Sequence, residues 1–242
     1  RRVLFRSLLF IFLSCFSCKN RNTGNTLEGE GQSTLSVSVP DFNSDSAYTY
    51  VVAQVDFGPR VPNTEAHLHC GDYLVDALKR FGAAVHVQEA KLTAYNRDRL
   101  NARNIIGSYN LENSRRILLF AHWDTRPYAD HDPDPAKWRV PIDGADDGAS
   151  GVGVLLEICR QLGMSNPDVG IDVIFFDAED YGTPRFITAN SPKESWCLGS
   201  QYWAANPHVI NYRAEYGILL DMVGSRNASF FKEMTSMESA PR

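Results

Sequence analysis

Short apolar runs alternate along this chain with longer stretches whose apolar residues recur at helical spacing, a rhythm of strands interleaved with helices. The runs Ile117-Leu118-Leu119-Phe120-Ala121, Ile171 to Phe176 and Ile218-Leu219-Leu220 predict three buried strands. Val85-His86-Val87 alternates like a half-buried strand, and Asn104-Ile105-Ile106-Gly107 reads as another. Tyr48 to Val55 is apolar on one side and predicts a helix. Asn63 or Thr64 caps a second helix that runs to about Phe81, with Leu68, Leu74, Val75, Leu78 and Phe81 on its apolar stripe and Gly82 as its stop. Further helices are predicted from Ser150 to Leu162 and from Leu198 to Ala205. The Pro/Asp-rich segment Asp130 to Pro135 fits neither helix nor inner strand. The polar excursion Thr183 to Ser195 has the length of a functional loop. No repeats are present. The expected fold is α/β: an open, mainly parallel twisted sheet with helices on both faces.

The chain opens with Arg1-Arg2-Val3-Leu4-Phe5-Arg6-Ser7, which reads as a non-native start. Leu8 to Leu13 is an apolar segment too short to span a bilayer. It ends in Ser14-Cys15-Phe16-Ser17-Cys18-Lys19, which resembles a bacterial lipoprotein cleavage site, with Cys18 preferred over Cys15 as the lipidated residue. An ordinary secretory signal is the other reading. Both imply export, with a lipid anchor the only membrane contact and the bacterial cell envelope the expected location. Residues 20–46 are rich in Asn, Gly, Ser, Thr and Glu and are expected to form a flexible tether. The expected division is therefore a leader over 1–19, a tether over 20–46 and a catalytic domain over 47–242.

With 242 residues and 43% hydrophobic content, the chain can bury one substantial α/β core. A net charge of −5 without a basic, aromatic-interleaved cluster argues against a nucleic-acid partner. Cys15, Cys18, Cys70, Cys159 and Cys197 form no closely spaced zinc pattern. Cys159 follows a helical apolar stripe and is expected to be a buried thiol. Pairing of Cys70 with Cys197 is left open.

Chemistry concentrates at the ends of the predicted strands. The first ends in His122-Trp123-Asp124, the second in Asp177-Ala178-Glu179-Asp180 and the third in Asp221. In open α/β sheets the carboxyl edge is where sites form. Gly144-Ala145-Asp146-Asp147-Gly148-Ala149-Ser150-Gly151 adds two carboxylates in a loop of small residues that opens into a helix. A carboxylate there serves as an N-cap, as an anion satisfied by backbone N–H groups, or as a metal ligand. His122, Asp147, Asp180 and Asp221 are the candidate ligands, and imidazole with carboxylate oxygens suits zinc at about 2.0–2.2 Å. Glu179 and Asp180 are adjacent, so one can bind metal while the other faces a substrate as general base. Asp124 is a candidate for orienting the His122 imidazole. Asp177 is expected to be a structural hydrogen-bonder. His67, His69, His86, His131 and His208 lack a partner pattern and are assigned to surface or partly buried positions.

The ordered set His122-x-Asp124, Gly144-Ala-Asp-Asp147, Glu179-Asp180 and Leu220-Asp221 resembles the zinc aminopeptidases of metallopeptidase family twenty-eight, and most of all its glutaminyl-peptide cyclotransferase branch. The match covers roughly Val51 to Phe231. Ile174 to Asp180, Ser191-Pro192-Lys193-Glu194-Ser195 with Gly199-Ser200, and Leu219 to Gly224 resemble segments of the cyclases. The resemblance implies one catalytic zinc on Asp147, Asp180 and a histidine farther downstream, with Glu179 shuttling the proton and Asp221 in an acid network behind it. His122 would border that site, with Trp123 or Trp196 as pocket wall, because Asn190 stands where animal cyclases carry an aromatic residue. Ala121 replaces the cysteine that forms their disulfide. The implied reaction converts an N-terminal glutamine of a peptide or protein to pyroglutamate with release of ammonia. In the alternative two-zinc aminopeptidase, His122 and Asp221 would bind a second metal with Asp147 bridging. A non-catalytic envelope lipoprotein is the remaining alternative. No His follows His208, so the resemblance implies a C-terminally truncated chain that lacks one ligand and binds zinc poorly.

Overall fold

Local signals set most element boundaries. In the computed structural model, α1 (Ser44–Val55) starts where the Asn43 side chain accepts from Ser46 N. Because Asn43 N also donates to Glu157 Oε1, folded structure begins within the segment assigned to the tether, ahead of Ala47. Thr64 caps α2 (Glu65–Arg80) by accepting from His67 N. The strands β1 (Ala84–Thr93) and β2 (Arg99–Tyr109) are longer than their apolar patterns. They form a hairpin closed by Ala94 N donating to Asp98 O and Arg97 N to Ala94 O. β3 (Arg116–His122), α3 (Ala149–Leu162), β4 (Gly170–Phe176), α4 (Leu198–Ala205), β5 (Tyr216–Leu219) and α5 (Met234–Ser239) complete the order. The structure describes residues 39–165, 167–188, 194–230 and 234–239. The leader with Cys15 and Cys18, most of the tether, Asn190, Ser191-Pro192-Lys193 and Phe231 lie outside the described residues.

One five-stranded sheet has the order β1-β2-β4-β3-β5. Its open α/β character is as expected, but its pairing is mixed rather than mainly parallel. β4, β3 and β5 run parallel, whereas β1–β2 and β2–β4 are antiparallel. The tight turn at Ala94–Asp98 leaves β1 and β2 no other way to pair. Helices do cover both faces. Ile105, Val173 and Phe175 pack with Leu74 and Leu78 of α2 and Val152 and Leu155 of α3, while Ile106, Ile174 and Phe176 face Trp203 of α4. One prediction fails at β5. Expected as a buried strand, it is an exposed edge, with Tyr216, Ile218 and Leu219 each about half accessible, because only β3 pairs with it among the described residues.

The register β3–β4 aligns His122 with Phe176, and β3–β5 aligns Phe120 with Leu219. All three parallel strands therefore end at one edge. From β3 the chain crosses through α3 to β4 on one side, then through α4 to β5 on the other. That reversal opens a crevice at the carboxyl end of β3.

Glu157 of α3 fastens the start of the fold. It is fully buried and accepts from Asn43 N, from Arg160 Nε and Nη2, and from Gln161 Nε2. The Arg160 hydrogen bonds dominate and pull its pKa from 4.5 down to about 2. A depressed folded-state pKa stabilises above the unfolded value and is lost as pH falls through the folded one. Glu157→Gln is therefore expected to cost about 1–3 kcal/mol at neutral pH. The gap to the parent should close between pH 4.5 and about 2, as followed by denaturant unfolding across that range.

Candidate active site

His122 ends β3 and is buried beneath the crevice, 3% exposed. Its Nε2 lies 2.9 Å from Asp147 Oδ1 and 3.6 Å from Asp221 Oδ1. Asp147 comes from the loop that opens α3, and Asp221 follows β5. Gly148, at φ +94°, makes the approach possible: a Cβ there would meet the Asp124 carbonyl at 2.9 Å and the His122 ring at 3.2 Å. The neighbouring Asp146 has a different task. It accepts from Gly224 N and Ser225 Oγ, and Ser150 Oγ accepts from Val223 N, so the turn after Asp221 is tied to the start of α3.

On the other side of the crevice, β4 delivers Asp177-Ala178-Glu179-Asp180. Asp177 is a structural acceptor, as expected: its oxygens take His67 Nε2 (2.8 Å), Arg103 N (2.6 Å) and Ala178 N (2.7 Å). Asp124 Oδ1 stands 3.6 Å from His122 Nδ1, within ion-pair range but beyond a hydrogen bond, and its two oxygens accept the amides of Glu179 and Asp180 at 3.0 and 3.1 Å. Ala178 is held at φ +51°, a left-handed conformation that costs a non-glycine residue on the order of 1 kcal/mol or more. The amides of Cys197, Leu198 and Gly199 fix it by donating to the carbonyls of Glu179, Ala178 and Asp177. Gly199 has to be glycine for this contact, since a Cβ would overlap the Asp177 carbonyl.

Asp147, Asp180, Arg126, Asp130, Trp196 and Met222 are among the residues that line a cleft of about 530 Å³. Trp196 is 37% exposed on its wall. Trp123 is not: it is fully buried, stacked 4.4 Å from His67, and donates Nε1 to Arg103 O. It is a core residue because β3 ends one position earlier, with its inward side facing α2. His67, expected at or near the surface, is buried as Trp123's partner. Cys70, Cys159 and Cys197 are all free thiols.

Several site residues carried no recognisable sequence signal. Arg60 is fully buried and donates to the carbonyls of Trp123, Asp143 and Gly144, which fixes the loop carrying Asp147. Arg126 pairs bidentately with Asp130 at 2.6 and 2.7 Å and reaches Asp180 Oδ1 at 3.4 Å. Its guanidinium carbon lies 4.5 Å from the Trp196 ring centroid. Asp130 also accepts from Arg185 N, so the described part of the long excursion docks on the same support.

Electrostatically the crevice is an anion cluster with too few cations. Burial, then the charges of Asp124 and Asp147, push the Asp180 carboxyl up to about 8 against the opposing pull of Arg126. Burial likewise raises Glu179, offset in part by His122. For His122 burial favours the neutral ring, but the surrounding Asp124, Asp147 and Asp221 outweigh it and raise its pKa well above the usual value. Asp221 is lowered in return, chiefly by its contact with the His122 imidazole at 3.6 Å. Asp180 Oδ2 and His122 Nδ1 are buried without hydrogen-bond partners. Ligand atoms of His122, Asp147 and Asp221 lie within 4.8 Å of one another. Orphaned donors of this kind, in an imidazole and carboxylate set, fit a divalent cation such as zinc.

A model described as peptidase family M28 matches residues 104–242, and the chain belongs to that family. The chain is 69% identical to a Zn-dependent exopeptidase from Parabacteroides distasonis, over 84% of this chain and 70% of that one, with a TM-score of 0.83. It is 65% identical to a glutaminyl cyclase from Tannerella forsythia, over 84% and 69% of the two chains, with a TM-score of 0.81. The glutaminyl-peptide cyclotransferase of Drosophila melanogaster is 25% identical over 188 residues, 75% of this chain and 49% of that protein. The chain spans less than half the length of the curated relatives it matches. The fold is the one shared by these zinc exopeptidases and glutaminyl cyclases.

The raised carboxyl and imidazole pKa values link metal uptake to proton loss. Zinc binding near pH 7 is expected to release protons, and apparent affinity should climb with pH until Asp180 is ionised, at about 8. Calorimetric titration in buffers of different ionisation enthalpy measures this directly. Asp180→Asn should reduce the proton release as well as the affinity.

Proposed function

We propose that the chain is the catalytic part of a zinc-dependent glutaminyl-peptide cyclotransferase acting on N-terminal glutamine of peptides and proteins. The observation that carries this reading is the pairing of Asp147 and Asp180 on one cleft, with Asp180 Oδ2 left without a partner, beside a half-buried Glu179 of raised pKa. The 65% identity to a glutaminyl cyclase supports the choice of reaction. Asp147 and Asp180 would hold the zinc together with a histidine that the family resemblance puts beyond Asp221. Held there, a zinc ion supplies Lewis-acid polarisation of the glutamine side-chain amide.

The chain's own groups supply the proton traffic. Glu179, as carboxylate, accepts a proton from the substrate α-amine as that nitrogen attacks the side-chain carbonyl carbon. The new C–N bond closes the five-membered ring. Glu179 then returns the proton to the departing amide nitrogen, which leaves as ammonia. His122 and Asp221 form the ion pair behind the site and keep Asp147 oriented through the 2.9 Å contact. Trp196, backed by Arg126, offers an apolar face to the substrate side chain.

A two-metal aminopeptidase is the second reading. It is favoured by the convergence of His122, Asp147 and Asp221 and by the similarity to a Zn-dependent exopeptidase. One metal per chain with pyroglutamyl product distinguishes the cyclase from two metals with free N-terminal amino acids. Export and lipid anchoring at Cys18 form part of the proposal and are supported by the apolar segment Leu8 to Leu13 and the stretch Ser14 to Lys19 that follows it. Among the described residues no helix is long and apolar enough to cross a membrane.

In the full-length protein with its downstream histidine, Glu179→Gln is expected to lower turnover of Gln-peptides by roughly 10²–10⁴-fold while bound zinc, counted in the same sample, stays unchanged. Retained ammonia release would remove Glu179 from the general-base role.

A further inference from the structure

We infer that Cys197 is a positioning residue for Glu179, clamping its carboxylate through the thiol and its backbone through the amide. The assignment of a proton-transfer role to Glu179 is taken from the function proposed above; the clamp itself is read from geometry. Cys197 Sγ lies 3.1 Å from Glu179 Oε1, and Cys197 N donates to Glu179 O at 2.9 Å. One residue thus fixes both ends of the glutamate.

Two further observations separate this from ordinary packing. Cys197 stands at φ +55° immediately before α4, a backbone conformation in which glycine is the unstrained choice. The amide contact needs only the backbone, so what a side chain adds at this position is the thiol. The thiol is also a donor rather than a thiolate: burial, reinforced by the Glu179 charge, pushes it up to about 12. Donation to Oε1 leaves Glu179 Oε2 without a hydrogen bond among the described residues, 4.0 Å from His122 Nδ1. The clamp therefore selects Oε2 as the oxygen that exchanges the proton.

The side chain that makes the clamp can be removed without loosening the fold. Cys197→Gly suits the left-handed backbone, so its melting temperature should stay within a few degrees of the parent or rise. On the zinc-loaded protein the same substitution should lower kcat for Gln-peptides about tenfold with KM within about twofold, the pattern of a lost transition-state interaction. Cys197→Ser keeps a donor and should recover most of that loss. An unchanged kcat in Cys197→Gly, or a fall in melting temperature that parallels the fall in activity, would overturn the inference.

A second measurement needs neither metal nor turnover. In the infrared difference between the parent and Cys197→Ser, the Cys197 S–H stretch should lie at the lowered frequency of a hydrogen-bonded thiol. It should move to the free-thiol position in Glu179→Ala, which removes the acceptor. A band already at the free-thiol position, or one indifferent to Glu179→Ala, refutes the clamp. If the full-length parent with its downstream histidine makes no pyroglutamate the cyclase reading fails, and the infrared result still decides the contact.

Discussion

Unbalanced negative charge at the carboxyl edge of the sheet governs this structure. Asp124, Asp147, Glu179, Asp180 and Asp221 converge there, and burying carboxylates without partners is costly enough that they either pair or take up protons. The molecule answers with a few fixed cations. His122 sits between Asp147 and Asp221, Arg126 lies against Asp180, and buried Arg60 supports the Asp147 loop. Even so, Asp180 is left with an unpartnered oxygen and an elevated pKa. A site that is short of positive charge in this way fits a metal ion.

The rest of the architecture holds these groups at the distances the chemistry needs. Parallel pairing of β3 with β4 and β5 brings three strand ends level. The Asp124 carboxylate and the amides leading into α4 then fix the Asp177–Asp180 segment from opposite sides. Strain at Ala178 persists because it is over-determined in this way. Asp221 is held through the turn that follows it, which is tied to Asp146 and Ser150 at the start of α3.

The arrangement fits either of two chemistries that would share a general base. Cyclisation and aminopeptidase hydrolysis both require a carboxylate poised beside a cation and shielded from bulk water, so neither fold nor base discriminates between them. The cluster His122–Asp147–Asp221 and the pair Asp147–Asp180 share one ligand. How many metals the site takes is therefore the property on which the two reactions divide.

The sequence alone determined the strand and helix order, the caps of α2, and the placing of His122, Asp147, Glu179, Asp180 and Asp221 at a common edge. Those features follow from periodicity and from the rule that α/β sites form at strand ends, both local in the chain. Tertiary structure decided what depends on contacts between distant segments. It put Trp123 in the core against His67 rather than on the cleft, set Asp124 on the amides of Glu179 and Asp180 as well as beside the imidazole, and left β5 with β3 as its one described neighbour. It also recruited Arg60, Arg126 and Cys197, none of which sits in a pattern a linear reading can recognise, and it gave Asp146 its task on the turn after Asp221. Each acts on a group many residues away, and side-chain direction at the end of a strand is set by the packing around it rather than by its neighbours in sequence.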